Sequence, residues 1–218
     1  MQINITFSYL YKITVVLEET SKLKSSYPLQ EDGDYGLYCF EEISEFIFAE
    51  RKHLFSYPDL VIYHPGHYAE LNDQIIHFYK QEGFSKITLS SAPNRFMNGK
   101  SEYEMFRPIL VEGGIPENDI IHITKGSTID EIVRYSFQIP LQQSIPFKNV
   151  LLVGKAFFMR RFLILGEKYA PEGTILDVMG LTDDRGIEKS NWADTEPGKN
   201  RVIGELERIS CLLRGTIS

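Results

Sequence analysis

The sequence predicts a doubly wound α/β/α sandwich with a mainly parallel sheet of about five strands. Two observations carry that expectation. Short apolar runs alternate five times with helix-length amphipathic stretches, at about the spacing of βαβ units. The runs themselves are nearly continuous Val, Ile and Leu, as strands covered on both faces should be.

The elements follow in order. Residues 1–24 read as a helix, and a loop holding Pro28, Gly33 and Gly36 leads to a second helix over residues 37–53. Phe40, Ile43, Phe46, Ile47 and Phe48 give that second helix a broad apolar stripe. Residues 1–57 are therefore expected to form a helical extension packed on a main domain spanning 58–218. The first strand is residues 59–64, ending at His64-Pro65-Gly66-His67. A helix over 72–82 follows, with Ile75, Ile76 and Tyr79 on one face, and Gly83 stops it. The second strand (86–91) hands over to a helix from Ser101, which Gly113-Gly114 ends unless Pro108 kinks it earlier. The remaining pairs are a strand over 119–124 with a helix over 128–137, and a strand over 149–154 with a helix over 157–169. A fifth strand over 174–180 leads into a polar loop, and a closing helix occupies 201–214. This is a Rossmann-like order, which puts the ligand crevice beyond the carboxyl ends of the strands.

Bulk properties narrow the function classes. A chain of 218 residues is long enough for one sizeable domain with a buried core. A formal net charge of -7 and no basic run longer than a pair such as Arg51-Lys52 speak against nucleic acid as a partner. No stretch approaches the ~20 apolar residues of a membrane helix, so no membrane partner is expected and the chain reads as cytoplasmic. Cys39 and Cys211 match no metal or redox spacing and are expected to be buried. The expected partner is a small molecule; the sequence leaves room for a homo-oligomer without specifying one.

The candidate site lies where the second strand opens onto a helix. Its loop carries Ser90, Ser91, Asn94 and Arg95, and the helix starts with Ser101, Glu102 and Glu104. Ser101 with Glu104, and Thr128 with Glu131, fit capping boxes. Glu102 is not needed by the box, so it is available to face a ligand. Two carboxylates at a helix start repel phosphate and suit hydroxyls, an amine or a cationic centre. The fourth crossover supplies the opposite charge in Lys155, Arg160 and Arg161. Carboxylates on one wall and cations on another fit a zwitterionic or nucleotide-like ligand. His64 and Gly66 line the first strand's end, where an imidazole can transfer protons near neutrality. No metal is expected, because no third ligand stands at a suitable spacing from His64 and His67. His122 reads as a packing histidine, and His53 and His77 as surface residues. No G-x-G-x-x-G, P-loop or G-x-S-x-G occurs, which disfavours a standard dinucleotide enzyme and a serine hydrolase.

Several of these features, taken together, resemble the bacterial YdcF/SanA/ElyC-type family. They are Tyr63–Gly66, Ser90-Ser91-Ala92, Ser101-Glu102-Tyr103-Glu104-Met105, Gly113–Ile121, Ser127-Thr128 and Val150–Arg161, covering about residues 59–165. The segment with Trp192 and Arg201–Leu206 looks closest to the YdcF branch. The resemblance implies a Rossmann-like domain and S-adenosylmethionine as the bound cofactor, in the branch that lacks a membrane anchor. Where the family carries glycine-rich turns, this chain has His64-Pro65-Gly66 and Ser90-Ser91-Ala92. In the acidic element after the third strand, either Asp130 or Glu131 takes the family's carboxylate role.

The expected function is binding of S-adenosylmethionine or a related nucleoside. Glu102 and Asp130 or Glu131 would hold hydroxyls or the amine, and Lys155, Arg160 and Arg161 a carboxylate or phosphate. Ser90, Ser91 and Asn94 would line the floor. The alternative is an enzyme, a methyltransferase or a hydrolase or transferase on a phosphorylated or envelope-derived metabolite, with His64 as acid or base. A third reading is a partner-binding protein that presents Phe40, Phe46, Phe48 and Phe55. Trp192 is a candidate lid over the crevice.

Overall fold

The computed structural model describes residues 35–215. The helix expected over residues 1–24 lies outside them. The described chain divides into two compact units, residues 48–189 and a second unit that joins the N-terminal segment to residues 190 onward.

The larger unit is the α/β layer structure. Its strands are β1 (Leu60–His64), β2 (Lys86–Ser90), β3 (Ile120–Ile123), β4 (Asn149–Lys155) and β5 (Ile175–Leu181). They form one five-stranded sheet in the order β3-β2-β1-β4-β5, and every pairing is parallel. Parallel neighbours need a crossover, and a right-handed helical crossover is the connection that packs back on the sheet. The chain therefore builds outward from β1 through β2 to β3, returns to the centre, and builds the other way through β4 and β5. The reversal falls between β1 and β4, where Tyr63 pairs with Val153 and His64 with Gly154. That is the topological switch point, the place where open α/β sheets carry their ligand crevice.

Both sheet faces are covered, which explains the uninterrupted apolar runs. Val61, Leu151, Val153, Ile87 and Leu89 pack into one core cluster with Leu71, Ile75, Phe106 and Leu110 from the helices. Leu60, Ile62, Val150 and Leu152, alternating with them along the strands, are also buried. Those helices are α2 (Leu71–Gln81) and α3 (Glu102–Glu112). The remaining crossovers are α4 (Ile129–Gln142) and α5 (Met159–Tyr169).

Two of these boundaries differ from the sequence reading. The helix expected over residues 37–53 is α1 (Tyr35–Ile47) and stops six residues early. Beyond it, the backbone N–H groups of Lys52 and Leu54 donate to the buried Asp177 carboxylate of β5 at 2.9 and 3.2 Å, so this stretch is held as a loop. The helix expected to end at Phe137 continues to Gln142, with Pro140 accommodated in its last turn. The helix from Ser101 ends at the expected Gly113-Gly114, because α3 continues through Pro108 to Glu112.

The second unit holds α1 and α6 (Glu196–Gly215), the latter beginning five residues before the expected position. The earlier start has a readable cause: Thr195 Oγ1 accepts from Gly198 N at 3.2 Å, and Pro197 falls in the first turn, where a missing N–H costs nothing. Trp192 is 6% exposed. Its ring stacks on Phe40 at 5.3 Å and its Nε1 donates to Ser44 Oγ at 2.7 Å, so the indole is committed to packing rather than open as a lid. Phe46 and Phe48 are buried, and Phe55 packs against the sheet's core cluster. These rings are spent on cores instead of forming a docking face. Cys211 is exposed, contrary to the expected burial. Its place on α6 accounts for this, since Ile209 and Ser210 are the buried positions of that turn. Among the described residues, no helix is long and apolar enough to cross a membrane.

Candidate functional site

The site begins with a capping box. Ser101, in extended backbone, caps α3: its Oγ accepts from Glu104 N at 3.2 Å, and Glu104 Oε2 accepts from Ser101 N at 2.7 Å. These bonds hold the exposed Glu104 carboxyl below the usual carboxylate range, the backbone bond from Ser101 first among the causes. With Glu104 occupied by the cap, Glu102 in the same first turn points elsewhere.

Glu102 is 3% exposed. Its Oε1 accepts from Gly66 N at 2.9 Å and stands 3.0 Å from His64 Nδ1. The carboxylate thus spans from the β2–α3 crossover to the turn that ends β1. His64 Nδ1 lies at ion-pair distance without hydrogen-bond alignment. Both it and Glu102 Oε2 are buried atoms with no hydrogen-bond partner among the described residues. A buried carboxylate oxygen without a donor costs folding free energy. The positive end of α3 offsets part of that cost, as a helix N-terminus favours an anion. Burial, with the Glu102 charge second, pushes the Tyr63 phenol well above its ordinary value. Phe158 and Phe162 approach the His64 imidazole, with ring centroids 5.7 and 6.5 Å away.

On the other side of the switch point, β4 ends in Lys155. Its Nζ donates to Pro65 O at 3.4 Å and lies 5.3 Å from the Tyr68 ring centroid. Gly66 has φ +71, and a Cβ added there would stand 2.6 Å from Lys155 Nζ. Glycine at this position both adopts the left-handed turn and leaves room for the ammonium. Arg185, from the loop after β5, places its guanidinium over Tyr68 (4.5 Å) and Phe157 (5.2 Å) while pairing with the buried carboxylate of Asp183. His67 lies between Tyr68 and Phe96, tilted against each, with ring centroids 4.1 and 4.6 Å away. Burial, then the Lys155 and Arg185 charges, lowers its pKa.

The structure thus gathers His64, Gly66, Glu102 and Lys155 at the switch point. The other sequence candidates take local partners. Ser90 Oγ accepts from Ala92 N, Ser91 Oγ donates to Ile123 O, and Asn94 Oδ1 accepts from Phe96 N to cap a short 3-10 turn. Thr128 and Glu131 form the second capping box, with Ser127 also bonded to Glu131. Asp130 pairs with Lys168 and Tyr169 at the end of α5. Burial by itself raises its carboxyl pKa, but the two bonds together with the Lys168 and Arg134 charges leave it lowered. Arg161 lies over the Phe158 ring at 4.7 Å. Arg160 is close enough to Glu167 to oppose the upward shift that burial gives that carboxyl.

Tyr68 and Arg185 are additions that sequence reading did not place at the site. Only the Asp183-Asp184-Arg185-Gly186 turn following β5 signalled Arg185, and nothing local tied it to Tyr68. Among the described residues, no group of three or more His, Cys, Asp or Glu converges as a metal site. His122, half-buried, stacks on Tyr103 at 3.7 Å, while His53 and His77 are exposed. Comparison of the chain with protein-family models, curated proteins and solved structures finds no match.

Proposed function

We propose that the crevice beyond β1 and β4 binds S-adenosylmethionine or a related nucleoside or nucleotide, and that the chain is a divergent relative of the YdcF branch. One observation carries the reading: a carboxylate 3% exposed, at the switch point of a parallel sheet, with Oε2 lacking a donor. A hydroxyl or ammonium of the ligand would supply it. Lys155 and Arg185 provide the complementary charge for a carboxylate, and the Tyr68, His67 and Phe96 rings give an aromatic wall. S-adenosylmethionine, when bound, brings an activated methyl group; this chain's residues would bind and orient it. Calorimetry of wild type, Glu102→Ala and Lys155→Met separates the expected contributions. Affinity should fall at least about tenfold in Glu102→Ala, since a bond to a charged group contributes about 1.5–3 kcal/mol. Unchanged affinity in both variants contradicts this placement.

The nearness of His64 Nδ1 to Glu102 Oε1 favours a second reading, in which the same site transfers a proton. Turnover lost in His64→Ala with ligand binding retained would support it. Binding and turnover both unaffected would dismiss it.

A further inference from the structure

Gly66 carries opposite charges on its two sides. Its N–H is held by Glu102 Oε1 at 2.9 Å, and a Cβ on its Cα would lie 2.6 Å from Lys155 Nζ. Joined through ordinary covalent lengths, these contacts place the ammonium within about 8.5 Å of the bonded carboxylate oxygen. The charges are close, yet Lys155 bonds to Pro65 O and lies over Tyr68, and Glu102 leaves Oε2 without a donor. A ligand that satisfies Glu102 must bring a donor, and one that also engages Lys155 must bring an acceptor a short step away.

We infer that the crevice recognises an α-amino-acid head group seated astride Gly66, its ammonium on Glu102 Oε2 and its carboxylate on Lys155. This inference rests on the reading of the crevice as a small-molecule site and specifies which end of the ligand is held there. The span suits that class. Two charge-assisted bonds of about 2.8 Å each, with about 3 Å between an amino acid's nitrogen and its carboxylate oxygen, reach up to about 8.6 Å when extended. An amino acid is therefore long enough to engage both charges anywhere within that limit. A nucleoside phosphate brings hydroxyl donors but no cation, and its phosphates would be repelled if placed at Glu102. The α3 N-terminus offers no phosphate cradle either, because Ser101, Glu102 and Glu104 occupy it. Arg185, bonded to Asp183 and stacked on Tyr68 beside Lys155, flanks the carboxylate end.

The test is calorimetry of the full chain with three probes. S-adenosylmethionine carries head group and nucleoside, 5′-methylthioadenosine the nucleoside alone, and L-methionine the head group alone. The expected result is S-adenosylmethionine binding at least about tenfold tighter than 5′-methylthioadenosine. Lys155→Met and Gly66→Ala should bring the two within about twofold by weakening S-adenosylmethionine alone. Lys155→Met, a half-buried side chain at a strand end, retains the fold if Gly66→Ala does not. Equal wild-type affinities, or a preference unchanged in Lys155→Met, overturn the inference while leaving nucleoside binding standing. Should neither nucleoside bind, the proposed function fails by itself, and a panel of L-α-amino acids decides the head-group inference. Binding of any of them, lost in Lys155→Met, upholds it; no binding overturns it.

Discussion

Glu102 reaches 36 residues back along the chain to hold the N–H of Gly66 at 2.9 Å, tying the crossover that leaves β2 to the one that leaves β1. The bond fixes the left-handed turn after β1 and so fixes where Lys155 can lie. It leaves one carboxylate oxygen buried and without a donor.

That arrangement separates stability from binding. Glu102→Ala should lower unfolding free energy by about 1–3 kcal/mol, because Gly66 N–H loses its buried acceptor. Glu102→Gln keeps an amide oxygen for Gly66 and removes a partly unsatisfied buried charge. It should therefore cost less than Glu102→Ala while still weakening the ligand. Denaturant titrations of both variants check the order, and a costlier Glu102→Gln would contradict the account.

The two capping boxes make an internal comparison. Ser101→Ala and Thr128→Ala should each cost about 1 kcal/mol of stability. Only the first should also reduce ligand affinity, since the Ser101 box sets the first turn that carries Glu102. Equal affinity losses would mean that the cap does not position the carboxylate.

Asp177 presents a purely architectural case. It is 3% exposed and accepts from Lys52 N, Leu54 N and Val178 N. Asp177→Ala leaves buried donors unpaired and should cost about 1–3 kcal/mol for each donor that water cannot reach. Ligand affinity, measured below the unfolding transition, should stay within about twofold of wild type, as Asp177 lies outside the switch point. A larger loss would place residues 52–54 in the binding machinery.

The pH dependence has a defined sign. Burial, followed by the Lys155 and Arg185 charges, lowers the His67 pKa, against smaller opposing effects of Asp183 and Glu70. An unfolded imidazole titrates near about 6.5. As pH falls through that value, the unfolded chain takes up a proton that folded His67 resists, and stability declines until the folded value is passed. Burial of His122 gives the same sign. Melting temperature should therefore fall between pH 8 and 5.5, and less steeply in His67→Phe. An identical slope in that variant would remove His67 from the explanation.

How much of this was legible follows from range. The apolar runs place all five strands, because burial on both faces demands continuous hydrophobicity over the same residues. The boxes at Ser101 and Thr128 are four-residue signals and occur where the sequence puts them. What the sequence could not convey is which strand ends become neighbours. Asp130, Glu131 and Glu102 look equivalent as acidic residues opening helices. Strand order sends Glu102 to the switch point and leaves Asp130 against Lys168 and Tyr169. Arg185 joins Tyr68 across more than a hundred residues, and no local pattern encodes that contact.

Isothermal calorimetry of the purified chain with S-adenosylmethionine, S-adenosylhomocysteine and ATP tests the central claim most directly. The account predicts binding of the first two, weakened in Glu102→Ala, and weaker binding of ATP, whose phosphates meet the Glu102 carboxylate. No heat from any of the three, or ATP binding that survives Glu102→Ala unchanged, would contradict it.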